Sequence, residues 1–364
     1  MKTTLKFAFL LALAAASVSG PLVAGRTAAV SSGPAFQSIG PLAFGPNGVL
    51  FAGDRDAAMV YALTLGNQAT GGAQGTADVA GIDQKIAAML GTAPADITIT
   101  DLAVHPTTKN AFLSVMRGQG AGSQPALLRV DGAGKITVVD LAGVTATSVT
   151  LPNPAAATPA GRTNPRTQTI MDLGYLDGRL VVAGLSNEEF ASKLWSVPYP
   201  FQSTDRGTSI EIFHGNHGRL ETNSPIFSFV SYPVGSEPHI IAGYLCTPLV
   251  KIPVSALKPG EKVLGTTVAE LGAGNRPIDM VLYSKGGQDY LLMSNTSRGV
   301  MKIPTAQFAA APAITARIGG TQGQFETVAN FTGVEQLDLL DSGRSLVIAR
   351  GQDGARNLTA VILP

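Results

Sequence analysis

The sequence predicts an all-β chain folded as a six-bladed β-propeller, and three observations carry that prediction: a repeated hairpin unit, the turn residues that punctuate it, and the spacing between copies. Four stretches, Ile99 to Arg117, Ile170 to Gly184, Pro277 to Asn295 and Glu335 to Arg350, each hold an apolar run with an Asp, a turn, and a second apolar run. Two looser copies run from Ile39 to Arg55, with Pro41 where the Asp belongs, and from Pro225 to Cys246, which lacks it. Equivalent positions lie roughly 50 to 70 residues apart, which suits a four-stranded sheet with loops better than a solenoid repeat.

Each copy supplies what a half-buried strand needs: alternation, or a short apolar run bounded by turn residues. In the first, Leu42 and Phe44 fall two apart, Gly45 to Gly48 form the turn, and Val49 to Phe51 begin the return strand. Third strands follow at Met59 to Leu63, Ala126 to Val130, Lys193 to Val197, Leu249 to Ile252, Val300 to Ile303 and Leu358 to Leu363. Outer strands are read at Ile136 to Leu141, Thr208 to Phe213 and Thr266 to Leu271. The last copy has three strands, so the segment Arg26 to Ser31 is expected to add its outer strand and close the ring. Ile82, Ile86 and Met89 to Leu90 fall near helical spacing, with Asp83 as the expected N-cap and Gly91 as the stop. Residues 142–169, rich in Ala, Thr and Pro, are read as an irregular loop insertion.

Residues 1–19 read as a secretory signal: Lys2 and Lys6, an apolar stretch from Phe7 to Val18 too short to span a bilayer comfortably, then small residues. The remainder, 20–364, is expected to be one propeller domain, secreted or periplasmic, without a membrane span, and a monomer. A formal charge of +1 for the whole chain gives no footing for nucleic-acid binding. Cys246 is the only cysteine, so no internal disulfide is available.

Propeller topology sorts residues by face. Loops after second strands and between blades gather at one mouth, which brings Arg55, Arg117, Asn187, Arg298 and Arg350 into view as a contact surface. Guanidinium forks suit carboxylate or phosphate, so the partner is expected to be a small anionic ligand or another protein, with structural pairing to nearby acids as the alternative use. The repeated Asp101, Asp172, Asp279 and Asp338 lie in innermost strands and are expected to accept backbone hydrogen bonds from the adjacent blade, with a cation held in the channel as the alternative use. Three of the four His and the lone Cys fall between residues 214 and 246. His214, His217 and Cys246 form a candidate site for copper or zinc, with Glu221 and Asn223 behind them, while His239 belongs to the opposite face. A metal-dependent hydrolase or oxidoreductase is therefore the alternative to a binding module. No cofactor is specified.

From roughly Gln37 onward the hairpin pattern resembles the broad NHL, YVTN and gluconolactonase-like propellers. The stretches GLSNEEFASKL, YLCTPLVKIPVSALKPG and RPIDMVLY are similar to uncharacterised secreted bacterial members, which bring no activity with them. Gluconolactonase-like enzymes carry a metal-binding Glu before a Gly-Pro pair. Here Ile39 precedes Gly40-Pro41, a departure that removes that ligand.

Overall fold

The computed structural model describes residues 27–158 and 164–364. The fold is all-β and propeller-like. In chain order, β1 (Thr27–Ser32) is followed by β2 (Leu42–Phe44), β3 (Leu50–Asp54) and β4 (Met59–Thr64), then by β5 (Ile97–Val104), β6 (Ala111–Arg117), β7 (Gln124–Val130) and β8 (Ile136–Val138). After β9 (Thr145–Thr150) come β10 (Asp172–Leu176), β11 (Arg179–Leu185), β12 (Ser192–Pro198), β13 (Thr208–His214) and β14 (Arg219–Glu221). Next are β15 (Ile226–Val234), β16 (Glu237–Tyr244), β17 (Pro248–Pro253) and β18 (Lys262–Glu270). The chain ends with β19 (Pro277–Lys285), β20 (Gln288–Asn295), β21 (Gly299–Pro304), β22 (Glu326–Thr327), β23 (Val334–Leu339), β24 (Arg344–Arg350) and β25 (Arg356–Ile362).

Hairpins form where the sequence supplies turn chemistry. Asp177 and Gly178, at φ 46° and 78°, make the two-residue turn between β10 and β11, a backbone that Asp-Gly adopts readily. Among the described residues the strands make five sheets: β1-β9-β4-β3-β2, β5 to β8, β19 to β22, β23 to β25, and a nine-stranded sheet from β10 to β18. In that largest sheet the outer strands β13 and β18 pair in parallel, with Ser209 opposite Lys262 and Ile212 opposite Gly265. Each thereby covers the other's open edge.

The innermost strands follow one another around a closed circuit: β5 packs on β2, β2 on β10, β10 on β15, β15 on β19, β19 on β23, and β23 back on β5. Apolar wedges fill the spaces between neighbours. Phe51, Val60 and Trp195 pack between the first sheet and β10 to β12, and Leu292, Val347 and Leu337 between the last two units. Fully burying each such side chain contributes on the order of 1.5 to 3 kcal/mol.

Aspartates tie the circuit at its axis. Asp101 accepts the Leu42 N–H of β2 at 2.6 Å, Asp338 the Val104 N–H of β5 at 2.7 Å, Asp279 the Leu337 N–H of β23 at 2.9 Å, and Asp172 the Phe229 N–H of β15 at 2.7 Å. The other oxygen of each takes the N–H of the next residue in its own strand. This is the backbone-accepting role expected from the repeat. The two junctions without such a bond leave from β2 and β15, the strands of the copies that carry Pro41 or no Asp.

Three expectations are corrected. The N-terminal strand does not complete the last unit, because β1 pairs with β9, Thr27 opposite Val149, and so extends the first sheet. Its neighbour β9 lies within the stretch read as irregular: it runs beside β4 from Met59 opposite Thr150 to Thr64 opposite Thr145, so the second unit is inserted between third and fourth strands of the first. The outer edge of β25 is met instead by Val79, which exchanges both backbone hydrogen bonds with Leu358 at 2.8 and 3.0 Å. Third, the helix Ile82–Leu90 forms, but Gly81 is its N-cap; Asp83 lies buried in the first turn and accepts the Arg356 N–H at 3.1 Å. The predicted signal segment, 1–19, lies outside the described residues.

Replacing Asp172 by Ala orphans the N–H groups of Leu173 and Phe229. The expected loss is roughly 2 to 5 kcal/mol in urea unfolding, with a smaller loss for Asp172→Asn, which keeps an acceptor. A loss within about 0.5 kcal/mol would show that these bonds do not hold the junction.

Candidate functional site

Two regions gather chemistry-bearing side chains: the axis, and the outer junction where β13 meets β18. Along the axis lie two cavities. A cavity of about 250 Å³ opens toward the loops after β3 and before β19, lined by Arg55, Arg276, Thr98 and Gln336. A larger one of about 530 Å³ opens at the other end, beside the turn at Gly45 and Pro46. Asp101, Asp172 and Asp279 border both.

These carboxyl groups are half-buried in the channel wall. Burial pushes Asp101 up to about 8, Asp172 up to about 7 and Asp338 up to about 6. Burial, with Asp101 beside it, also raises Asp279 well above the usual carboxylate range. The amide oxygen of Gln336 faces the carboxyls; turned over, its nitrogen would donate to Asp101 Oδ1 at 3.2 Å and Asp279 Oδ2 at 3.3 Å. Above them Arg55 lies across Gly40, where a Cβ would come within 2.7 Å of its Nε, and that Nε donates to the Ile170 carbonyl at 3.2 Å.

Of the five residues expected at the mouth, Arg55 lines this cavity and the other four do not. Arg117 reaches Gln124 Oε1 and the Gly91 carbonyl at 3.4 and 3.5 Å. Arg298 donates to the Ala273 carbonyl at 3.3 Å, and Arg350 is paired with Glu335 at 2.6 Å. The backbone N–H of Asn187 bonds the Asn153 carbonyl at 2.8 Å. The side chains of the other three Arg turn to local partners, whereas Arg55, at the same repeat position, is turned across Gly40 toward the Ile170 carbonyl. Sequence reasoning missed Arg276, which precedes the hairpin copy at Pro277 and occupies no repeated position. From the stretch read as a loop, Ala157 and Arg166 line a wider cavity that Arg55 also borders.

The junction site is built by two hairpins. Parallel pairing brings the ends of β13 and β18 to one edge, which places His214 beside Glu270. The tight β13–β14 hairpin folds His217 back onto His214, with ring centroids 3.8 Å apart. The turn between β16 and β17 brings in Cys246, whose φ of 61° is followed by 57° at Thr247. A left-handed backbone at β-branched Thr247 costs on the order of 1 to 3 kcal/mol, offset where the turn is bonded: Cys246 N–H donates to the Asn275 carbonyl at 2.7 Å and Thr247 Oγ1 to the Gly272 carbonyl at 3.1 Å. Donor atoms of His214, His217 and Cys246 all lie within 4.8 Å of one another. Among the described residues the axial aspartates form no such group.

Glu221 orients both rings. Its Oε2 meets His214 Nδ1 at 2.9 Å and its Oε1 meets His217 Nδ1 at 2.6 Å. Burial opposes its charge, but the hydrogen bonds from both imidazoles hold Glu221 below the usual carboxylate range. With each Nδ1 engaged, Nε2 is the free nitrogen of both rings, and that of His214 is buried with no hydrogen-bond partner. Glu270, raised by its burial, accepts the Gly215 N–H at 2.6 Å and Asn216 Nδ2 at 2.8 Å, which clamps the loop between the two His. Asn223 takes the Thr222 hydroxyl at 3.3 Å rather than a ring nitrogen. His239 lies near the start of β16, whose far end approaches Cys246, and its Nδ1 lies 2.8 Å from the Glu237 carbonyl.

No protein-family model and no curated protein sequence matches the chain. Among solved structures it is similar to the quinone-bound (PQQ) aldose sugar dehydrogenase of Streptomyces coelicolor, at 11% identity over 94% of this chain and 99% of that one, TM-score 0.34. It is similar also to a streptogramin B lyase, at 6% identity over 95% and 100%, TM-score 0.34, and to a chain of the mitotic checkpoint complex, at 10% over 100% and 99%, TM-score 0.35. Likeness at this distance carries nothing about what the chain binds.

The axial carboxyls give a pH dependence. Their folded pKa values are raised above the unfolded value near 4, so their protonated contribution is fully present below about pH 4 and is lost as pH rises through about 6 to 8. The melting temperature is expected to fall between about pH 5.5 and about pH 8.5, and to fall less in Asp101→Asn; a rise over that range contradicts the assignment.

Proposed function

We propose that this chain is an exported protein, a single six-bladed propeller that holds a transition-metal ion at His214, His217 and Cys246. The observation that carries the reading is the orientation of both imidazoles by one carboxylate, which leaves His214 Nε2 buried and unpartnered in a group of two imidazoles and a thiol whose donor atoms lie within 4.8 Å of one another. Zinc and copper take this donor set, with bonds of about 2.0 to 2.3 Å, so the three donors need only close to roughly 3 to 4 Å of one another. An orienting carboxylate behind ligating His is the usual support of such centres. The six-blade count is supported by the circuit of innermost strands, if the nine-stranded sheet is read as two units fused through β13 and β18, and the repeat's resemblance to NHL and YVTN propellers fits it. Export is supported by the composition of residues 1–19. Among the described residues no helix is long and apolar enough to cross a membrane.

Protein purified without a histidine tag is expected to take up a single equivalent of copper or zinc and to lose it in the His217→Ala, Cys246→Ala double variant. Equal uptake by the variant, or none by either protein, would refute the site.

A second reading rests on Arg55 and Arg276. Both border the axial cavity, and among the described residues neither has an acidic side chain within ion-pair distance. The Arg276 guanidinium lies 5.3 Å from the centre of the Phe227 ring. Two planar forks at one mouth suit a small carboxylate or phosphate, the anionic ligand expected from the sequence. Inorganic phosphate or citrate is expected to raise the melting temperature of the native chain and not of Arg55→Gln, Arg276→Gln; the same shift in both removes this reading.

A further inference from the structure

Resting on the reading of His214, His217 and Cys246 as metal ligands, we propose that the ion is held in an open coordination, its fourth position given to a small oxygen- or nitrogen-donor molecule from solvent. Closed structural zinc sites draw four ligands from protein, whereas reactive sites draw three and leave the fourth to water or substrate. Here the protein offers three. Among the described residues no further His, Cys, Asp or Glu joins the group whose donor atoms all lie within 4.8 Å of one another.

One neighbour stands close enough to close the site. Glu270 Oε2 is 4.0 Å from His214 Nε2. Both Glu270 oxygens are already engaged, Oε1 by the Gly215 N–H and Oε2 by Asn216 Nδ2, and those bonds hold the loop that carries the two ligand His. Glu270 is fully buried, so it occupies the inner flank. Exposure rises in the other direction: the His214 side chain is 2% exposed and that of His217 is 42% exposed, while Cys246 is half-buried. The fourth position therefore faces solvent, bounded on the inside by a carboxylate that serves the loop. An ion in that setting would act on its exogenous ligand as a Lewis acid.

Cobalt(II) accepts the same tetrahedral donors and reports its coordination in the visible spectrum. Cobalt-loaded native protein, titrated with azide and separately with imidazole, is expected to show saturable shifts of its visible bands, with similar shifts in Glu270→Gln. Native bands that stay still while those of Glu270→Gln respond would identify Glu270 as a fourth protein ligand and overturn the open site. Bands that stay still in both would overturn it too, and leave the metal reading standing. Failure of the native protein to take up cobalt, copper or zinc would remove both. The native titration decides by itself if Glu270→Gln folds poorly.

Discussion

The structure depends on a carboxylate that belongs to one innermost strand and bonds the backbone of the next. Sheets arranged around an axis meet there by their narrowest edges, where little apolar area is available and every buried N–H needs an acceptor. Asp101, Asp172, Asp279 and Asp338 meet that need across four junctions while satisfying an N–H of their own strands. A hydrogen bond to a charged acceptor is worth about 1.5 to 3 kcal/mol, and leaving such a group unmade costs as much again. The arrangement carries a tension, since the carboxyls that bind the units together also crowd one channel, and burial pushes them toward the neutral form.

One junction without this bond is joined by other means, and one that has it is reinforced farther out. Between β2 and β10, Arg55 crosses Gly40 to reach the Ile170 carbonyl, which turns a cation toward the axis above the carboxyl ring. Farther out, β13 and β18 fuse two units into one sheet, and the junction site stands at the end of that seam. Its components come from both sides: His214, His217 and Glu221 from one hairpin, Cys246 and Glu270 from the other unit. Glu221 bonds both rings, and Glu270 bonds the loop between them.

Much of this was legible. Copies lacking the Asp were visible as looser repeats, and their strands are those without the axial bond. The helix Ile82–Leu90 and its stop at Gly91 followed from spacing. The metal candidates stood out through scarcity, because three of four His and the only Cys lie within one short span. What escaped notice has local causes. In β9, Ala146 and Ser148 point inward between Thr145 and Thr147, so the apolar contrast that marks a strand is nearly absent. Gly81 took the cap expected of Asp83 because that carboxylate is used by the Arg356 N–H, far away in sequence. Arg117, Arg298 and Arg350 shared a repeat position with Arg55, but an Arg side chain turns to whichever acceptor lies nearest, and periodicity does not record that.

The sequence by itself determined the hairpin unit, its repetition, the residues that would tie neighbours at the axis, and the candidate set of two His and one Cys, since each follows from residue type and short spacing. Tertiary structure decided which unit neighbours which, where the N-terminal strand attaches, which arginines reach the axis, and that Glu221 and Glu270 would flank the same pair of rings. Those outcomes depend on strand pairings between segments separated by tens to hundreds of residues, and no local pattern encodes a partner at that range.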